Sequence, residues 1–159
     1  MLCSYGEDSM TGIRILEKQD IGAIRTLILQ LAEDLGEVFD LDHAHYLAQY
    51  KAMLQHPDIY QNYVYCTEDV VVGFLSLVFY RSFFHKKGTT LINELVVKKE
   101  YRGRKIGKAL IEHAIEAAEE QGFDEIEVGV MQDAARALAF YRNNGFDQEY
   151  LLLGKEFSG

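Results

Sequence analysis

The spacing of apolar residues in the first third of the chain predicts one strand followed by two helices. Ile13 and Ile15 alternate with polar neighbours, a period typical of a half-buried strand. Asp20 offers an N-cap to a helix that extends to about residue 34, where apolar residues recur at helical spacing. Asp42 offers a second N-cap, to a helix that extends to about residue 56.

The rest of the chain is predicted to alternate between strands and helices. Residues 62–68 and 70–80 are rich in β-branched and aromatic side chains, and Glu68 and Asp69 fit a tight hairpin turn between them. Further along we predict a loop over 82–90, a strand over 91–98, a helix over about 104–121, a strand over 125–130, a short helix over 133–143 and a last strand over 150–157. The element order β-α-α-β-β-β-α-β-α-β predicts an α/β fold with a mixed sheet.

Length and composition favour a single domain without staples. The chain has 159 residues, of which 48% are hydrophobic, so we predict a loose leader over 1–11 and one domain over 12–159. Two cysteines, Cys3 and Cys66, are too few for a disulfide framework and favour a reducing compartment. Glu7 and Asp8 stand where a signal peptide would be basic and apolar. The longest nearly apolar run, 70–80, is too short for a membrane span, which needs about 20 residues. We therefore expect a cytoplasmic protein that does not bind a membrane.

The charge is acidic overall but locally basic. A net charge of −9 argues against general nucleic-acid binding. Residues 98–108 nevertheless contain six cations and one acid, Glu100. This basic segment is either an anion site or a solvated helix start, and charge alone does not decide between them.

The basic segment joins a predicted strand to a predicted helix, which is a favourable place to bind phosphate. The first four N–H groups of a helix lack intrahelical partners, and the helix dipole makes this end positive. Gly103 and Gly107 let a ligand approach the backbone. Their spacing fits neither a P-loop nor the dinucleotide fingerprint G-x-G-x-x-G.

Two motifs in this region resemble those of the GNAT superfamily of acyl-CoA-dependent N-acetyltransferases. The stretch RGRKIG, residues 102–107, is similar to the family's R/Q-x-x-G-x-G/A turn. The stretch ALAFYRNNGF, residues 137–146, is similar to its short helix with Phe-Tyr before Gly-Phe. Lys105 stands where the family has its first glycine, and Ala134 stands where many members have asparagine.

The resemblance implies a mostly antiparallel central sheet flanked by helices and a site for acetyl-CoA as co-substrate. The backbone of Leu95 and Val97 would pair with the pantetheine arm, and backbone amides from 102 to 108 would bind the pyrophosphate. This cofactor-binding set comprises Leu95, Val97, Arg102, Gly103, Arg104, Lys105, Ile106, Gly107 and Lys108.

Two side chains are candidates for proton transfer. Tyr141 would protonate the departing thiolate as a general acid, or it is simply an aromatic packing residue. Glu94 interrupts an apolar strand, where a carboxylate is costly unless it is paired or useful. It is either a general base for the incoming amine or one half of a structural ion pair.

The acceptor region is less distinctive. An acidic cluster around the link between the first two helices would attract a cationic amine, or it is a solvated loop; it comprises Glu33, Asp34, Glu37, Asp40 and Asp42. Tyr46 and Tyr50 would line the cleft or pack in the core. Phe83 and Phe84 would form a lid or a subunit contact. His43 and His45 would diverge on a helix and have no third ligand in the sequence, so we expect no metal site.

The first hypothesis is direct transfer of an acetyl group from acetyl-CoA to the primary amine of a small, cationic molecule. No cysteine lies beside either motif, which disfavours an acyl-cysteine intermediate. Two alternatives remain: a noncatalytic acyl-CoA sensor or interaction module, and an acetyltransferase acting on a protein N-terminus or lysine. Proteins that resemble this chain are commonly dimers, so a homodimer is a further expectation.

Overall fold

The computed structural model describes residues 9–39 and 41–158 and contains a five-stranded sheet in the order β1-β2-β3-β4-β5. Neighbouring strands from β1 to β4 are antiparallel, whereas β4 and β5 are parallel. This confirms the predicted mixed, mostly antiparallel α/β sheet. The strands are β1 (Gly12–Ile15), β2 (Tyr60–Thr67), β3 (Val70–Tyr80), β4 (Thr89–Val97) and β5 (Glu125–Val128).

Four helices cover the two faces of this sheet. They are α1 (Ile21–Asp34), α2 (His43–Leu54), α3 (Ile106–Glu120) and α4 (Ala135–Asn143). One core cluster joins α1 to β2, β3 and β4 through Ile24, Leu27, Val64, Phe74 and Val96. A second cluster, on the α3 face, contains Leu75, Leu77, Ile92, Leu110 and Ala114.

The predicted hairpin forms without glycine. Glu68 and Asp69 have φ values of 49° and 67°, so both occupy the left-handed region that a tight two-residue hairpin turn requires. Asp69 compensates by tying the turn to Met10, two residues before β1. Its Oδ1 accepts the Met10 N–H at 2.9 Å, and its own N–H donates to the Met10 carbonyl at 2.9 Å.

Only one of the two predicted caps acts as a cap. Asp42 Oδ1 accepts the His45 N–H at 2.9 Å at the start of α2. Asp20 makes no side-chain cap; instead its carboxylate accepts two hydrogen bonds from Arg14, at 2.7 and 2.9 Å, and one from the Glu17 N–H at 2.8 Å. The cap prediction for Asp20 is therefore wrong, because a guanidinium in the neighbouring strand binds this buried carboxylate.

A bulge in β4 changes which face its side chains take. Ser76 pairs with Glu94 and Leu77 pairs with Ile92, so Asn93 is an extra residue on β4. Ile92 and Leu95 consequently both lie toward the α3 cluster, although they are three positions apart. Glu94 lies on the same face as Val96, which packs in the α1 cluster.

The last predicted strand is wrong. Residues 150–157 have no regular secondary structure, and most of their apolar side chains are exposed. An extended segment is stabilised by pairing with a neighbour, and this one pairs with no strand among the described residues. Residues 1–8, which include Cys3 and most of the predicted leader, lie outside the described residues, as does Asp40.

Other differences from the predicted bounds are small. Strand β4 begins at Thr89, while α3 and α4 each begin two residues later than predicted. Gly122 and Gly145 follow α3 and α4 with positive φ, as glycines that end helices commonly do. None of the helices formed by residues 9–39 and 41–158 is long and apolar enough to cross a bilayer.

Candidate active site

The pairing between β4 and β5 stops partway along β4, because β5 ends at Val128. Their pairing covers Thr89 to Ile92 on β4 and Glu125 to Val128 on β5. Strand β4 then continues to Val97 without β5 beside it. On this side, the second half of β4 has no neighbouring strand among the described residues. Main-chain polar groups need partners, so this edge is available to an extended ligand.

Leu95 and Val97 lie on this stretch, and their pairing with the pantetheine arm stays a prediction. The Val97 carbonyl already accepts a hydrogen bond from Gln30 Nε2 at 3.0 Å and one from Arg102 Nε at 3.3 Å. That oxygen is thus committed to the protein. Pairing of Val97 with a ligand would have to use its N–H.

The turn after β4 has the backbone of an anion cradle. Gly103 and Lys105 have φ values of 78° and 64°, so left-handed residues occupy alternate positions before α3 begins at Ile106. Such alternation turns successive N–H groups toward one point. The amides of Ile106, Gly107 and Lys108 are in the first helical turn and have no intrahelical acceptor. The Ile106 side chain is buried in the α3 cluster, which fixes the turn to the core.

Lys105, which stands at the position of the motif's first glycine, adopts the left-handed conformation that favours glycine. This conformation costs about 1–2 kcal/mol for a residue with a Cβ. Gly107 serves a different purpose. A Cβ added there would lie 3.1 Å from Phe140 Cζ, so glycine allows α4 to pack close to the turn.

About half of the basic segment is neutralised by the protein itself. Arg102 Nη2 donates to Asp34 Oδ2 at 2.7 Å, and Lys99 Nζ lies 3.4 Å from both Glu33 and Asp34. Lys108 pairs with Glu112 on the same helix, and Arg104 lies 4.8 Å from the centroid of the Tyr101 ring.

Lys98 and Lys105 form no ion pair with a carboxylate in the described parts of the chain. These two ammonium groups remain available to an anion. Part of the segment therefore braces the turn against α1, and the anion site stays a prediction.

Asp34 holds this turn against α1. Burial would raise the pKa of its carboxyl, but hydrogen bonds and charge from Arg102 and Lys99 outweigh that effect and lower the pKa. Gln30, one turn earlier on α1, makes a second link: its Oε1 accepts the Lys99 N–H at 3.1 Å. Sequence reasoning missed Gln30, whose only signal is its position one helical turn before Asp34.

Tyr141 lies on α4 at the edge of the α3 cluster. It contacts Phe140 and Phe146 edge-on, with ring centroids 5.2 and 5.5 Å away. Burial raises the pKa of Tyr141 to about 12, so its hydroxyl is protonated at neutral pH. This is the state that a general acid requires, and the same contacts also fit a packing role.

Glu94 lies on the α1 and α2 face of the sheet, opposite Ser76. Burial raises the pKa of Glu94, and a hydrogen bond with the Ser76 side chain only partly offsets this. In the described parts of the chain no basic group pairs with it. The structural ion pair considered from the sequence is therefore not formed. Ser76 is a second residue that sequence reasoning missed, because its register with Glu94 depends on the bulge.

The predicted acceptor residues are only partly brought together. Glu33 and Asp34 bind the basic segment, and Asp42 caps α2, so these three carboxylates have structural partners. Tyr46 and Tyr50 pack against the α1 cluster. Phe83 and Phe84 are almost fully exposed on the loop between β3 and β4. No three His, Cys, Asp or Glu side chains of residues 9–39 and 41–158 are grouped as metal ligands would be.

The chain is similar to known proteins in family, in sequence and in fold. The model of the acetyltransferase (GNAT) family matches residues 25–146. An uncharacterised N-acetyltransferase of Methanocaldococcus jannaschii is 36% identical over 69 residues, which are 43% of this chain and 30% of that protein. One of Dictyostelium discoideum is 38% identical over 55 residues, which are 35% of this chain and 26% of that protein. The matched part thus spans less than a third of either curated relative.

Solved structures share the fold over almost the whole chain. Glucosamine-6-phosphate N-acetyltransferase from Arabidopsis thaliana has a TM-score of 0.79 and 19% identity, covering 94% of this chain and 99% of that one. A transcriptional regulator from Bacillus halodurans C-125 has a TM-score of 0.82 and 22% identity, covering 93% and 100%. An aminoglycoside acetyltransferase from an uncultured soil metagenomic sample has a TM-score of 0.71 and 22% identity, covering 94% and 99%. At these identities the likeness is one of fold.

The family match includes the left-handed turn, the unpaired stretch of β4 and the helix that carries Tyr141. It covers well over half of the chain. On this evidence the chain belongs to the acetyltransferase (GNAT) family.

Proposed function

We propose that this protein transfers an acetyl group from acetyl-CoA to the primary amine of a small, cationic molecule, by direct attack within a ternary complex. The observation that carries the proposal is the continuity between the unpaired edge of β4 and the left-handed turn before α3. An extended arm ending in a diphosphate would find main-chain groups along the strand and then a cluster of amide donors at the helix start.

The residues of this turn fit the chemistry of coenzyme A. The first-turn amides of α3 and the ammonium groups of Lys98 and Lys105 provide donors and positive charge for phosphate. When bound, acetyl-CoA supplies an acyl group activated as a thioester. Arg102 acts indirectly here, because its side chain holds the turn to Asp34 and to the Val97 carbonyl.

Glu94 is proposed to remove a proton from the attacking amine. A lysine-like amine is protonated at neutral pH, since its pKa is about 10.4, and it must lose a proton before it can attack. The raised pKa of Glu94 makes this carboxylate a stronger base than an exposed one. The proposed base therefore lies on the face of the sheet that α1 and α2 cover.

Tyr141 is proposed to protonate the sulfur as the thioester carbon–sulfur bond breaks. A thiol has a pKa of about 8.5, so transfer from a tyrosine with a pKa of about 12 is uphill and needs close placement. The packing of Tyr141 between Phe140 and Phe146 limits its freedom and supports such placement.

A small cationic acceptor is supported by charge and by one structural relative. The net charge of −9 favours the approach of cations over anions. The soil metagenomic neighbour is described as an aminoglycoside acetyltransferase, and aminoglycosides are polycationic amines. Transfer to a protein amine and acyl-CoA binding without transfer are the competing functions.

The deciding experiment combines calorimetry with thiol release. Acetyl-CoA binding is measured by titration, and free CoA release is then followed over a panel of polyamines, aminoglycosides, amino acids and peptides. Release with a small polyamine or aminoglycoside supports the proposal. Release with peptides alone assigns a protein acceptor, and binding without release across the panel supports a sensor. Absence of measurable acetyl-CoA binding overturns the proposal.

The Tyr141→Phe variant tests the proposed acid. We expect kcat to fall by roughly 10²–10⁴, the usual contribution of a proton-transfer residue, while acetyl-CoA affinity changes little. Tyr60→Phe, at the start of β2, is the matched control and should retain full turnover. If Tyr141→Phe also turns over at the normal rate, the tyrosine is a packing residue.

A further inference from the structure

Strand β5 carries two glutamates that alternate with apolar residues. Ile126 and Val128 pack against the α3 cluster. Because the side chains of a strand alternate between its two faces, Glu125 and Glu127 lie on the other face of the sheet. This is the face on which Glu94 lies, beside Val96 of the α1 cluster. Carboxylates of two neighbouring strands are therefore on the same side of the sheet.

The two glutamates of β5 differ in their partners. The Glu125 carboxylate accepts a hydrogen bond from the Tyr150 hydroxyl at 3.3 Å and lies 3.5 Å from His85 Nε2. Glu127 accepts one hydrogen bond, from the Tyr80 hydroxyl, and forms no ion pair with a basic side chain in the described parts of the chain. A carboxylate can accept about four hydrogen bonds, so Glu127 retains capacity to bind a donor.

Tyr80, the last residue of β3, holds the Glu127 carboxylate in place. Burial raises the pKa of Tyr80, and the hydrogen bond to Glu127 raises it further, so the hydroxyl is protonated and donates. Tyr80 is nevertheless 39% exposed. On the sheet, α1 contacts mainly β3 and β4, and α2 contacts mainly β2. The pair formed by Glu127 and Tyr80 is therefore accessible to a ligand.

Glu127 and Glu94 are close enough for one small molecule to contact both. Glu127 pairs with Leu91, and Glu94 follows Leu91 by three positions, one of which is the bulge residue. At about 3.3 Å per residue along a strand and about 4.8 Å between strands, the two α-carbons are on the order of 8–11 Å apart. A linear molecule with an amino group at each end can span such a distance.

We propose that Glu127, held by Tyr80, binds a second ammonium group of the acceptor while the reacting amine lies at Glu94. The protein thereby selects diamines and polyamines over monoamines. This inference rests on the proposed transfer of an acetyl group to a small cationic amine. A hydrogen bond between an ammonium group and a carboxylate is roughly twice as strong as a neutral one, which favours an amino group over a hydroxyl at Glu127. Glu127 is then a specificity-determining residue, and Tyr80 is a positioning residue.

Steady-state assays of CoA release with matched acceptors test the inference. The linear diamines from diaminobutane to diaminooctane are each compared with the alkyl monoamine of the same length. We expect kcat/KM of the wild type to be at least tenfold higher for the best diamine than for its monoamine, since a hydrogen bond to a charged group contributes on this order. The amino alcohol of the same length should behave like the monoamine, because it lacks the second charge.

Variants assign the preference to this pair of residues. Glu127→Gln should raise the KM for the diamine by at least tenfold, with its kcat and the kinetics of the monoamine unchanged, because only binding of the second amino group is lost. Tyr80→Phe should raise the same KM by a smaller factor. Glu119→Gln removes the same charge from an exposed position on α3, on the other side of the sheet, and is the matched control. It should keep the full preference for the diamine.

The outcomes separate this inference from the proposed function. Equal kcat/KM for diamine and monoamine, an amino alcohol as good as the diamine, or a diamine preference that survives Glu127→Gln would overturn the inference and leave acetyl transfer standing. Loss of monoamine turnover in Glu127→Gln would overturn the specificity role, because the residue would then support the fold or the chemistry. Turnover of none of these amines would contradict the proposed function, and the inference would fall with it.

Discussion

Glu94 is a carboxylate whose burial lowers stability, a cost that the proposed base role would explain. Its side chain has a hydrogen bond with Ser76 and no cation beside it in the described parts of the chain. Burial of an unpaired charge disfavours folding, and here it raises the pKa of the group. The pKa of Glu94 is therefore higher in the folded than in the unfolded state. The stability that Glu94 contributes is complete below its unfolded-state pKa, and it is lost as the pH rises through its folded-state pKa.

The Glu94→Gln variant should therefore separate stability from activity. We expect higher thermal stability than wild type at neutral pH, no such gain in acid below the unfolded pKa of the carboxyl, and a fall in kcat of roughly 10²–10³. The ratio of wild-type to variant rate should be largest between the pKa of Glu94 and that of the amine, about 10.4, because a base is not needed once the amine is neutral. Melting curves and pH–rate profiles measure both effects. A rate ratio that is constant across pH would exclude the base role.

Lys105 has a strained, left-handed backbone and an ammonium group that forms no ion pair in the described parts of the chain. Two substitutions can separate the effect of the strain from the effect of the charge. Lys105→Gly relieves the left-handed conformation and should raise stability by up to about 1 kcal/mol, while removing a phosphate-binding cation. Lys105→Ala removes the same cation but keeps the strain. Both variants should bind acetyl-CoA more weakly by titration calorimetry, and only the glycine variant should melt at a higher temperature. Unchanged affinity in both would show that the ammonium group does not contact the ligand.

At the level of elements, α1 acts as a brace for the turn between β4 and α3. Gln30 and Asp34 lie one turn apart on α1 and together bind the Val97 carbonyl, the Lys99 N–H and the Arg102 guanidinium. The helix thus fixes the end of β4 and the start of the anion cradle at the same time. These contacts make Asp34 a positioning residue.

Asp34→Asn should loosen this turn. Because Asp34 and Arg102 are each about one-third exposed, we expect a stability loss of only about 0.5–1 kcal/mol at neutral pH. The lowered pKa of Asp34 means that this contribution exists above the unfolded pKa and is lost as pH falls through the folded value, so the variant and wild type should converge in strong acid. The KM for acetyl-CoA should rise several-fold with kcat little changed. Glu33→Gln, which removes a more exposed partner of Lys99, is the control and should leave KM unaltered.

The elements were predictable where local signals agreed. The helical spacing of α1 and α3, the Asp42 cap and the glycines after α3 and α4 are set by neighbours in sequence, and the structure has them. The Asn93 bulge was not predictable, because an extra residue in a strand is visible only against its partner. The Asp20 cap failed for the same reason: its guanidinium partner belongs to β1.

The site was predictable only in its backbone. The turn at 102–108 and the strand before it follow from a motif, whereas Gln30 and Ser76 depend on contacts between distant segments. The prediction of a strand over 150–157 was wrong because an apolar sequence favours a strand only if a neighbouring strand pairs with it. In the described parts of the chain no strand does, and the apolar side chains of this segment are mostly exposed. From the sequence, an acidic cluster was a candidate for attracting the acceptor. Three of its carboxylates, Glu33, Asp34 and Asp42, have structural partners instead.

At the scale of the whole molecule, charge is divided between a general acidic field and one basic turn. The net charge is −9, while residues 98–108 are strongly basic. In the proposed reaction, the acidic field would attract the cationic acceptor and the basic turn would attract the anionic donor. Both attractions act at long range and are screened by salt, since the Debye length falls from about 10 Å at 0.1 M to about 3 Å at 1 M.

Raising the ionic strength should therefore increase both KM values. We expect the KM for a polyamine acceptor to rise several-fold between low and high salt, and the KM for acetyl-CoA to rise in the same direction. A monoamine of similar size is the control and should show a weaker dependence. Steady-state assays in an inert salt measure the slopes. Equal slopes for polyamine and monoamine would show that the acidic field plays no part in acceptor capture.

Helices α1 and α2 differ in how their residues are tied to the turn between β4 and α3. Substitution along the inner face of α1 disturbs the donor turn as well, since Gln30 and Asp34 reach across to it. In the described parts of the chain, α2 has no fully buried residue. If the proposed function is right, directed libraries for new acceptor amines are therefore better placed on α2 than on α1, where substitutions would also disturb the turn proposed to bind the donor.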